Sequence, residues 1–396
     1  MSFLSGARRA SSRCARKIVR RTQRIHRGVT LIEMMVALVV TLIMMAAVIG
    51  AFAMVSGTIN DGRSMMEMSD RVRAAVQRVR LDLAGITCPT LPWARPEAGG
   101  GYVEIIKGKS TDSSPDPLIL KALTAAGQVD TTVYGAGDDI LIFTTRSSGE
   151  PFVNGSNQQS QVAEVLWACV PDLNSPASNP YYSLYRVTNL VLPSATTLAE
   201  VSNDGKVAMS LGDLTKRENR THGFRGKAFP FEFDAAGFRA WAQGNPAQSA
   251  KYIVLSNVVA FDVKVWDPTA PTYASNGVTL VPGDIGYGTG NAGLPGAYAD
   301  LGYKPPSGTL RFAGPPAAKS KLTMPTWDTW PMHYEYDNTG MNGLKDGPGG
   351  IDDINERLTS PPYPFPLRGI QIKIRVYEPD SRQIQEVTVV EHFLPE

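Results

Sequence analysis

One segment of the chain offers the residue types of a metal site. The stretch NGLKDGPGGIDDINE offers side chains with hard oxygen atoms around several glycines, and the candidate ligands among them are Asn342, Asp346, Asp352, Asp353 and Glu356. Calcium binds several such oxygens on a tightly turning backbone. However, Leu344 stands where the helix-loop-helix calcium pattern has a ligand, and no helical pattern flanks the stretch. Two interpretations stay open, a solvated acidic turn, which the sequence favours, and a calcium site.

Residues that could perform catalysis are not arranged for it. The four histidines, His26, His222, His333 and His392, lie far apart in the sequence. The chain contains no G-x-S-x-G, H-E-x-x-H or Walker loop and no G-x-G-x-x-G that enters a helix. Carboxylate pairs such as Asp138-Asp139 are adjacent, which favours a solvated turn over acid-base chemistry across a substrate. The sequence therefore predicts that the protein is not an enzyme.

A single carboxylate, Glu33, stands at the start of a long apolar run. Residues 34–55 contain no charged side chain, so the run is long enough to cross a bilayer as a helix. A carboxylate next to lipid is costly and usually marks a functional partner. The alternative is that Glu33 lies at headgroup depth and is solvated.

The flanking charges predict how this segment is oriented. Residues 1–27 contain nine Lys and Arg and no Asp or Glu. Such an excess keeps that end in the cytoplasm, so we expect the chain after about residue 56 to lie outside. A secretory signal peptide has a shorter apolar core that is followed by its cleavage site, whereas the junction here, Gly28-Val29, precedes the apolar run.

The residues around this junction resemble a known family. Gly28, followed by Val29-Thr30-Leu31-Ile32-Glu33 and the apolar run, is similar to the leader-peptide junction of type IV pilins and type II secretion pseudopilins. The resemblance implies that a prepilin peptidase cuts after Gly28 and methylates the new amino terminus at Val29. It also implies that Glu33, the fifth residue of the mature chain, pairs with the terminal amine of a neighbouring subunit. A charge in lipid is tolerable when such a cation arrives.

Removal of a 1–28 leader changes the charge and the cysteine content. The whole chain has 39 Lys and Arg against 37 Asp and Glu. Without the nine bases of the leader the balance is 30 against 37, so the basic total is no evidence for nucleic acid, and we predict none as a partner. Cys14 leaves with the leader, and Cys88 and Cys169 then face an oxidising compartment. We predict that they form a disulfide; the alternative is two small buried residues.

The segment after the apolar run has the periodicity of an amphipathic helix. Apolar residues recur every three or four positions: Met65, Met68, Val72, Val76, Val79, Leu83 and Ile86. Charged residues fill the positions between them. We therefore predict one helical spine over 29–87, with the transmembrane part at about 34–55 and an outward half that packs on a globular domain.

Beyond Cys88 the alternation of side chains is that of strands. The predicted strands are 102–108, 139–148, 162–170, 182–192, 252–267, 368–378 and 384–393, the last two joined by a hairpin across PDSRQ. We expect an α+β fold in which a long amino-terminal helix packs on a mainly antiparallel sheet. The globular domain is 88–396, with large loop insertions at about 193–250 and 267–350.

The order of these blocks resembles the J-type minor pseudopilins and the W-type minor pilins. That resemblance implies a structural subunit with these partners: other pilin or pseudopilin subunits, the prepilin peptidase, an inner-membrane assembly platform and membrane lipid. It places the chain in the inner membrane as a single-pass protein with a periplasmic or extracellular carboxy-terminal domain. The alternative is a membrane-tethered binding protein or hydrolase whose globular part performs the function.

Overall fold

A computed structural model of the chain describes residues 28–88, 99–111, 134–153, 157–172, 181–192, 207–208, 210–215, 220, 233–244, 246–303, 324–329 and 367–393. By its contacts the chain divides into two compact units, Met1–Asn60 and Asp61–Glu396.

The amino-terminal element is one long helix, α1 (Leu31–Ala84), of 54 residues. At 1.5 Å per residue it is about 80 Å long. Its bounds agree with the predicted spine to within two or three residues. The residue after the helix, Gly85, packs closely on the sheet: a Cβ atom there would lie 2.2 Å from the carbonyl oxygen of Arg146, so the position requires glycine.

In the first unit, every residue of α1 is exposed to its surroundings. The helix is long and apolar enough to cross a membrane, the one such helix in the described part of the chain. This finding confirms the predicted membrane-spanning helix in its length and composition.

The second unit is built on a ten-stranded sheet. Its strands are β1 (Val103–Ile106), β2 (Ile140–Arg146), β5 (Val162–Pro171), β6 (Tyr182–Val191), β7 (Val207–Ala208), β8 (Ile253–Asp267), β12 (Ala297–Ala299), β13 (Thr326–Asp328), β14 (Gly369–Glu378) and β15 (Gln383–His392). Eight of them lie in the order β13-β1-β2-β5-β6-β8-β14-β15, and in addition β12 pairs with β8 and β7 pairs with β6. The β6–β7 pair is parallel and the other pairs are antiparallel. All seven predicted strands are present, and so is the hairpin between β14 and β15.

Smaller elements complete the described chain. Two short sheets are β3-β4, from β3 (Phe152–Val153) and β4 (Gln159–Ser160), and β10-β9-β11, from β9 (Tyr273–Ser275), β10 (Val278–Leu280) and β11 (Asn291–Ala292). Three short helices are α2 (Leu211–Thr215), α3 (Ala235–Gly244) and α4 (Pro246–Ser249), and a 3₁₀ turn spans Ala250–Tyr252.

The large sheet has a hydrophobic core on each face. One core contains the second half of α1, where Met68, Val72 and Val79 pack against strand residues such as Val165 and Phe261. The predicted face of the helix is confirmed except at its ends, because Met65 is exposed and Ile86 only half-buried. This α+β arrangement confirms the predicted pilin-like architecture.

The second core lies under a segment that the sequence assigned to an insertion. Phe238 of α3 packs with Tyr185 of β6, Leu166 of β5 and Ile142 of β2. The second predicted insertion supplies β12 and β13 to the large sheet. Both stretches therefore contribute buried structure to the domain.

Candidate functional site

The junction between Gly28 and Val29 is accessible at the start of α1. Both residues are exposed and neither is helical, since α1 begins at Leu31. No heavy atom lies within 4 Å of a Cβ atom built on Gly28. The described chain therefore places nothing in the way of a protease at this peptide bond.

Glu33 caps the helix that begins just after the junction. Its Oε2 accepts hydrogen bonds from the backbone N–H of Thr30 (2.8 Å) and from Thr30 Oγ1 (3.0 Å). The backbone N–H of Glu33 in turn lies 3.3 Å from Thr30 Oγ1. These reciprocal bonds form a capping box, which satisfies amide groups that the first turn of a helix leaves unpaired.

The hydrogen bonds of the cap use one oxygen of the Glu33 carboxylate, Oε2. Among the described residues, no Lys, Arg or His forms an ion pair with Glu33. The carboxylate also favours the start of the helix because the helix dipole is positive there. A cation from another molecule could therefore approach the carboxylate while the helix remains capped.

Two hydroxyl groups, one within the apolar segment and one just after it, are satisfied by the helix itself. Thr41 Oγ1 donates to the carbonyl oxygen of Ala37 (2.7 Å), and Thr58 Oγ1 donates to that of Met54 (3.0 Å). In a bilayer each backbone or hydroxyl group needs such a partner, since no water is present. The segment thus has the chemistry that lipid contact requires.

The predicted disulfide is not formed in the structure. Cys88 and Cys169 are both free and buried. The N–H of Thr87, next to Cys88, donates to Thr144, and Thr144 pairs with Glu164 of β5. Cys169 lies five residues further along that strand, about 17 Å at 3.4 Å per residue. A disulfide needs Cα atoms within about 7 Å, so the register holds the thiols apart, and burial raises the pKa of the Cys88 thiol to about 12.

The other predicted site residues lie outside the described residues. These are the leader, residues 1–27, and the candidate calcium ligands Asn342, Asp346, Asp352, Asp353 and Glu356. Within the described ranges, no group of three or more His, Cys, Asp or Glu is arranged to hold a metal ion.

Sequence reasoning missed a buried ion pair that joins α1 to the sheet. Asp82 accepts hydrogen bonds from Arg186 Nε (2.7 Å), Arg186 Nη2 (2.7 Å) and Trp167 Nε1 (3.1 Å), and its side chain is 3% exposed. Two parallel bonds between a guanidinium and a carboxylate fix both position and orientation. The signal in the sequence was the position of Asp82, which lies on the apolar stripe between Val79 and Leu83.

A second buried pair ties the 193–250 stretch to the edge of the sheet. Arg220 Nη1 lies 2.6 Å from Glu104 Oε2 and 2.6 Å from Asp328 Oδ2, and its guanidinium stacks 3.8 Å from the ring centre of Tyr102. Burial alone would lower the pKa of Arg220. The carboxylates of Asp328 and Glu104 have the larger effect and raise that pKa. Glu104 stands between apolar residues of β1, which was the signal available.

A third buried cluster surrounds Lys107. Its ammonium lies 2.8 Å from Asp139, 2.9 Å from Asp262 and 3.2 Å from Asp300. Burial opposes the charge on Lys107, yet the three carboxylates raise its pKa. Burial also raises the pKa of Asp139 and, to about 6, that of Asp300. For Asp262, burial is outweighed by the two neighbouring ammonium groups of Lys107 and Lys264, which lower its pKa.

Comparison with known proteins identifies the amino-terminal segment. Residues 23–49 match the family described as the prokaryotic N-terminal methylation motif. The match includes the Gly28-Val29 junction, Glu33 and most of the apolar run, and it supports a type IV pilin-like protein. Neither the curated proteins nor the solved structures gave a match to the chain. Proteins with this motif are generally structural rather than enzymatic.

Proposed function

We propose that the chain is a minor pilin or pseudopilin, a structural subunit that assembles through α1 into a type IV pilus or a type II secretion pseudopilus. The observation that carries the proposal is the methylation motif, which matches over the same residues that form the exposed junction and the capped start of α1. The order of its sequence blocks resembles that of the J-type minor pseudopilins and the W-type minor pilins, and this resemblance is the reason for proposing that branch.

The motif implies the steps of assembly that we propose, and the exposed junction is compatible with them. A prepilin peptidase cuts after Gly28 and methylates Val29, which leaves a positive amine one residue before the capping residue Thr30. Residues 34–55 hold the protein in the inner membrane, with the domain on the periplasmic or extracellular side. An assembly platform then brings subunits together, and the amine of one subunit neutralises the Glu33 carboxylate of its neighbour.

The amino terminus of the native protein tests this proposal directly. We expect intact mass and amino-terminal sequencing of protein from its own membrane to give a chain that starts at Val29 and is one methyl group heavier than its sequence. Native protein that retains residues 1–28 would contradict the proposal and favour a membrane-tethered binding protein.

A substitution at the junction separates recognition from folding. Gly28→Val should abolish or strongly reduce cleavage, while the folded domain is unchanged because the space around Gly28 is open. Gly50→Ala is the matched control, since Gly50 also has no neighbour within 4 Å and lies away from the junction. Equal cleavage of both variants would mean that the peptidase does not recognise Gly28.

The acidic segment 342–356 keeps its two interpretations, a solvated turn and a calcium site. Titration calorimetry of the full chain with Ca²⁺ distinguishes them. Absence of heat, with no change in melting temperature at millimolar Ca²⁺, would exclude the calcium site.

A further inference from the structure

Lys107 and Asp139 lie side by side at the ends of two neighbouring strands. Lys107 follows β1 and Asp139 precedes β2, and the antiparallel register, in which Ile106 pairs with Ile140, sets the two residues opposite each other. The Lys107 Nζ atom lies 2.8 Å from Asp139 Oδ2, and the two side chains are 4% and 0% exposed. An amine and a carboxyl group in contact and away from water are the two reactants of an amide bond.

The backbone around Asp139 fixes and polarises its carboxyl group. The N–H of Gly108 donates to Asp139 Oδ1 (2.9 Å), and the N–H of Val263 donates to Asp139 Oδ2 (2.8 Å). Backbone N–H groups held in this way stabilise the negative charge that develops on oxygen when a nucleophile attacks the carboxyl carbon. Burial raises the pKa of Asp139, which favours the uncharged acid, the form that an amine attacks.

Two further carboxyl groups are placed to carry the protons that such a reaction moves. Asp262 Oδ1 lies 2.9 Å and Asp300 Oδ1 lies 3.2 Å from Lys107 Nζ. The Lys107 ammonium must lose a proton before it can attack, and a carboxylate in direct contact is the acceptor for it. Asp300 suits this role better than Asp262, because burial raises the pKa of Asp300 to about 6, whereas the neighbouring ammonium groups outweigh burial and lower the pKa of Asp262.

We propose that Lys107 and Asp139 condense to an amide, which joins β1 to β2 through their side chains. The Lys107 ammonium gives a proton to the Asp300 carboxylate, and the Nζ lone pair then forms a bond to Asp139 Cγ. Asp300 passes its proton to one Asp139 oxygen, which leaves as water when its bond to Cγ breaks, and Asp300 takes a second proton from the nitrogen. The products are the amide, one water molecule and the neutral acid of Asp300, and no oxidant or reductant is consumed.

Two physical effects favour this condensation. The fold holds the amine and the carboxyl group in contact, so that the reaction needs no encounter between separate molecules. The product also replaces two buried ionisable groups, whose charges are costly to remove from water, by one neutral amide. Asp262 and Asp300 keep free carboxyl groups in the product. The inference does not depend on the proposed function.

The intact mass of the chain tests the bond. We expect folded full-length protein in detergent to be lighter than its sequence by one water molecule, after allowance for leader removal and methylation. Lys107→Arg keeps a positive charge but has no nucleophilic amine, so it should have its full sequence mass. Lys109→Arg is the matched control, since Lys109 is exposed, and it should lose water as the wild type does. A wild type of full mass, or loss of water by Lys107→Arg, would overturn the proposal.

Peptide mapping of the wild-type chain locates the bond without the need for a variant to fold. Trypsin should leave Lys107 uncut, because its amine is acylated, and fragmentation should find Lys107 joined to Asp139 in one branched peptide. A branch from Lys107 to Asp262 or Asp300 would contradict the assignment. So would a water lost within a single unbranched peptide, as a cyclic imide at Asp61-Gly62 would produce.

Discussion

The two halves of α1 are both apolar but acquire their stability from different partners. In the first half the apolar residues surround the helix on all sides and are exposed, as at Val40 and Ile43. In the second half they form one stripe, where Val72 and Val79 are fully or almost fully buried against the sheet. Among the described residues nothing covers the first half, which is apolar enough to cross a membrane, whereas the second half is covered by the sheet.

The acidic residues near the two ends of α1 show the same contrast. Asp82 is buried and its cation, Arg186, comes from the same chain. Glu33 is exposed and, among the residues that the structure describes, its side chain bonds to Thr30 and to no cation. Asp82 therefore belongs to the interactions within the folded domain, whereas under the proposed function Glu33 acts between subunits. Substitutions at these positions should therefore change different measurements.

The largest effect is expected at Asp82. Asp82→Ala leaves the largely buried Arg186, whose side chain is 11% exposed, without its carboxylate. Breaking a buried pair in this way typically costs about 3–5 kcal/mol of unfolding free energy. Urea unfolding of the full chain in detergent, followed by the fluorescence of the buried tryptophans, measures it. Asp70→Ala is the control, since Asp70 forms only an exposed ion pair with Arg73 and should change stability by less than about 1 kcal/mol. Equal effects of the two variants would show that the Asp82 pair does not hold α1 to the sheet.

A smaller effect separates the apolar residues of the two halves. Val72→Ala removes two buried methyl groups and should lower the unfolding free energy by about 2 kcal/mol. Val40→Ala makes the same chemical change at an exposed position and should alter it by no more than about 0.5 kcal/mol. The same urea titration serves for both. If Val40→Ala were as destabilising, the first half of the helix would be packed in the folded domain after all.

The sequence predicted those parts of the fold that depend on interactions between neighbouring residues. The bounds of α1 and the large strands depend on the spacing of apolar residues within a segment, and they were predicted closely. The buried charges, Asp82, Lys107 and Arg220, were not, because a charged residue normally indicates the surface. Only pairing between distant segments makes their burial tolerable, and that pairing is not visible in the periodicity of a single segment.

The same distinction explains the outcome for the cysteines and the inserted stretches. The predicted disulfide was inferred from the oxidising compartment and from the number of cysteines in the chain. Neither of these gives the register of β2 on β5, which separates the two thiols. The insertions were delimited by composition, rich in proline and glycine. Composition gave no indication that β13 would complete one edge of the sheet or that α3 would cover its second face.

At Glu33 the expected effect is on assembly and not on folding. Glu33→Gln keeps an acceptor for the capping bond to Thr30 but removes the charge, whereas Glu33→Ala removes both. If the charge pairs with a neighbouring amine, both variants should be cleaved normally and should enter filaments about tenfold less than wild type. Immunoblots of sheared filaments against membrane fractions measure this ratio. Normal incorporation of Glu33→Gln with loss in Glu33→Ala would mean that Glu33 acts only as a helix cap.

Asp300 is intermediate between Glu33 and Asp82 in how well its charge is compensated. A cation of the same chain lies beside it, but other carboxylates share that cation. Lys107 serves Asp139, Asp262 and Asp300 together, and burial raises the pKa of Asp300 to about 6 from its ordinary 3.8. A carboxyl whose pKa is higher in the folded state binds protons more tightly there, so stability rises as pH falls through 6. Between pH 7.5 and 5.5 this amounts to about 1 kcal/mol, and the raised pKa of Asp139 acts in the same direction.

Thermal unfolding at these two pH values measures the effect of Asp300. Asp300→Asn should reduce the gain in melting temperature between pH 7.5 and 5.5, because the amide does not titrate. Asp61→Asn, an exposed position on α1, is the control and should retain the wild-type gain. If the Asp300 variant kept the full pH dependence, the excess of carboxylates around Lys107 would not be what senses pH. The comparison of Glu33, Asp300 and Asp82 by the cation that compensates each carboxylate would then not explain their different effects.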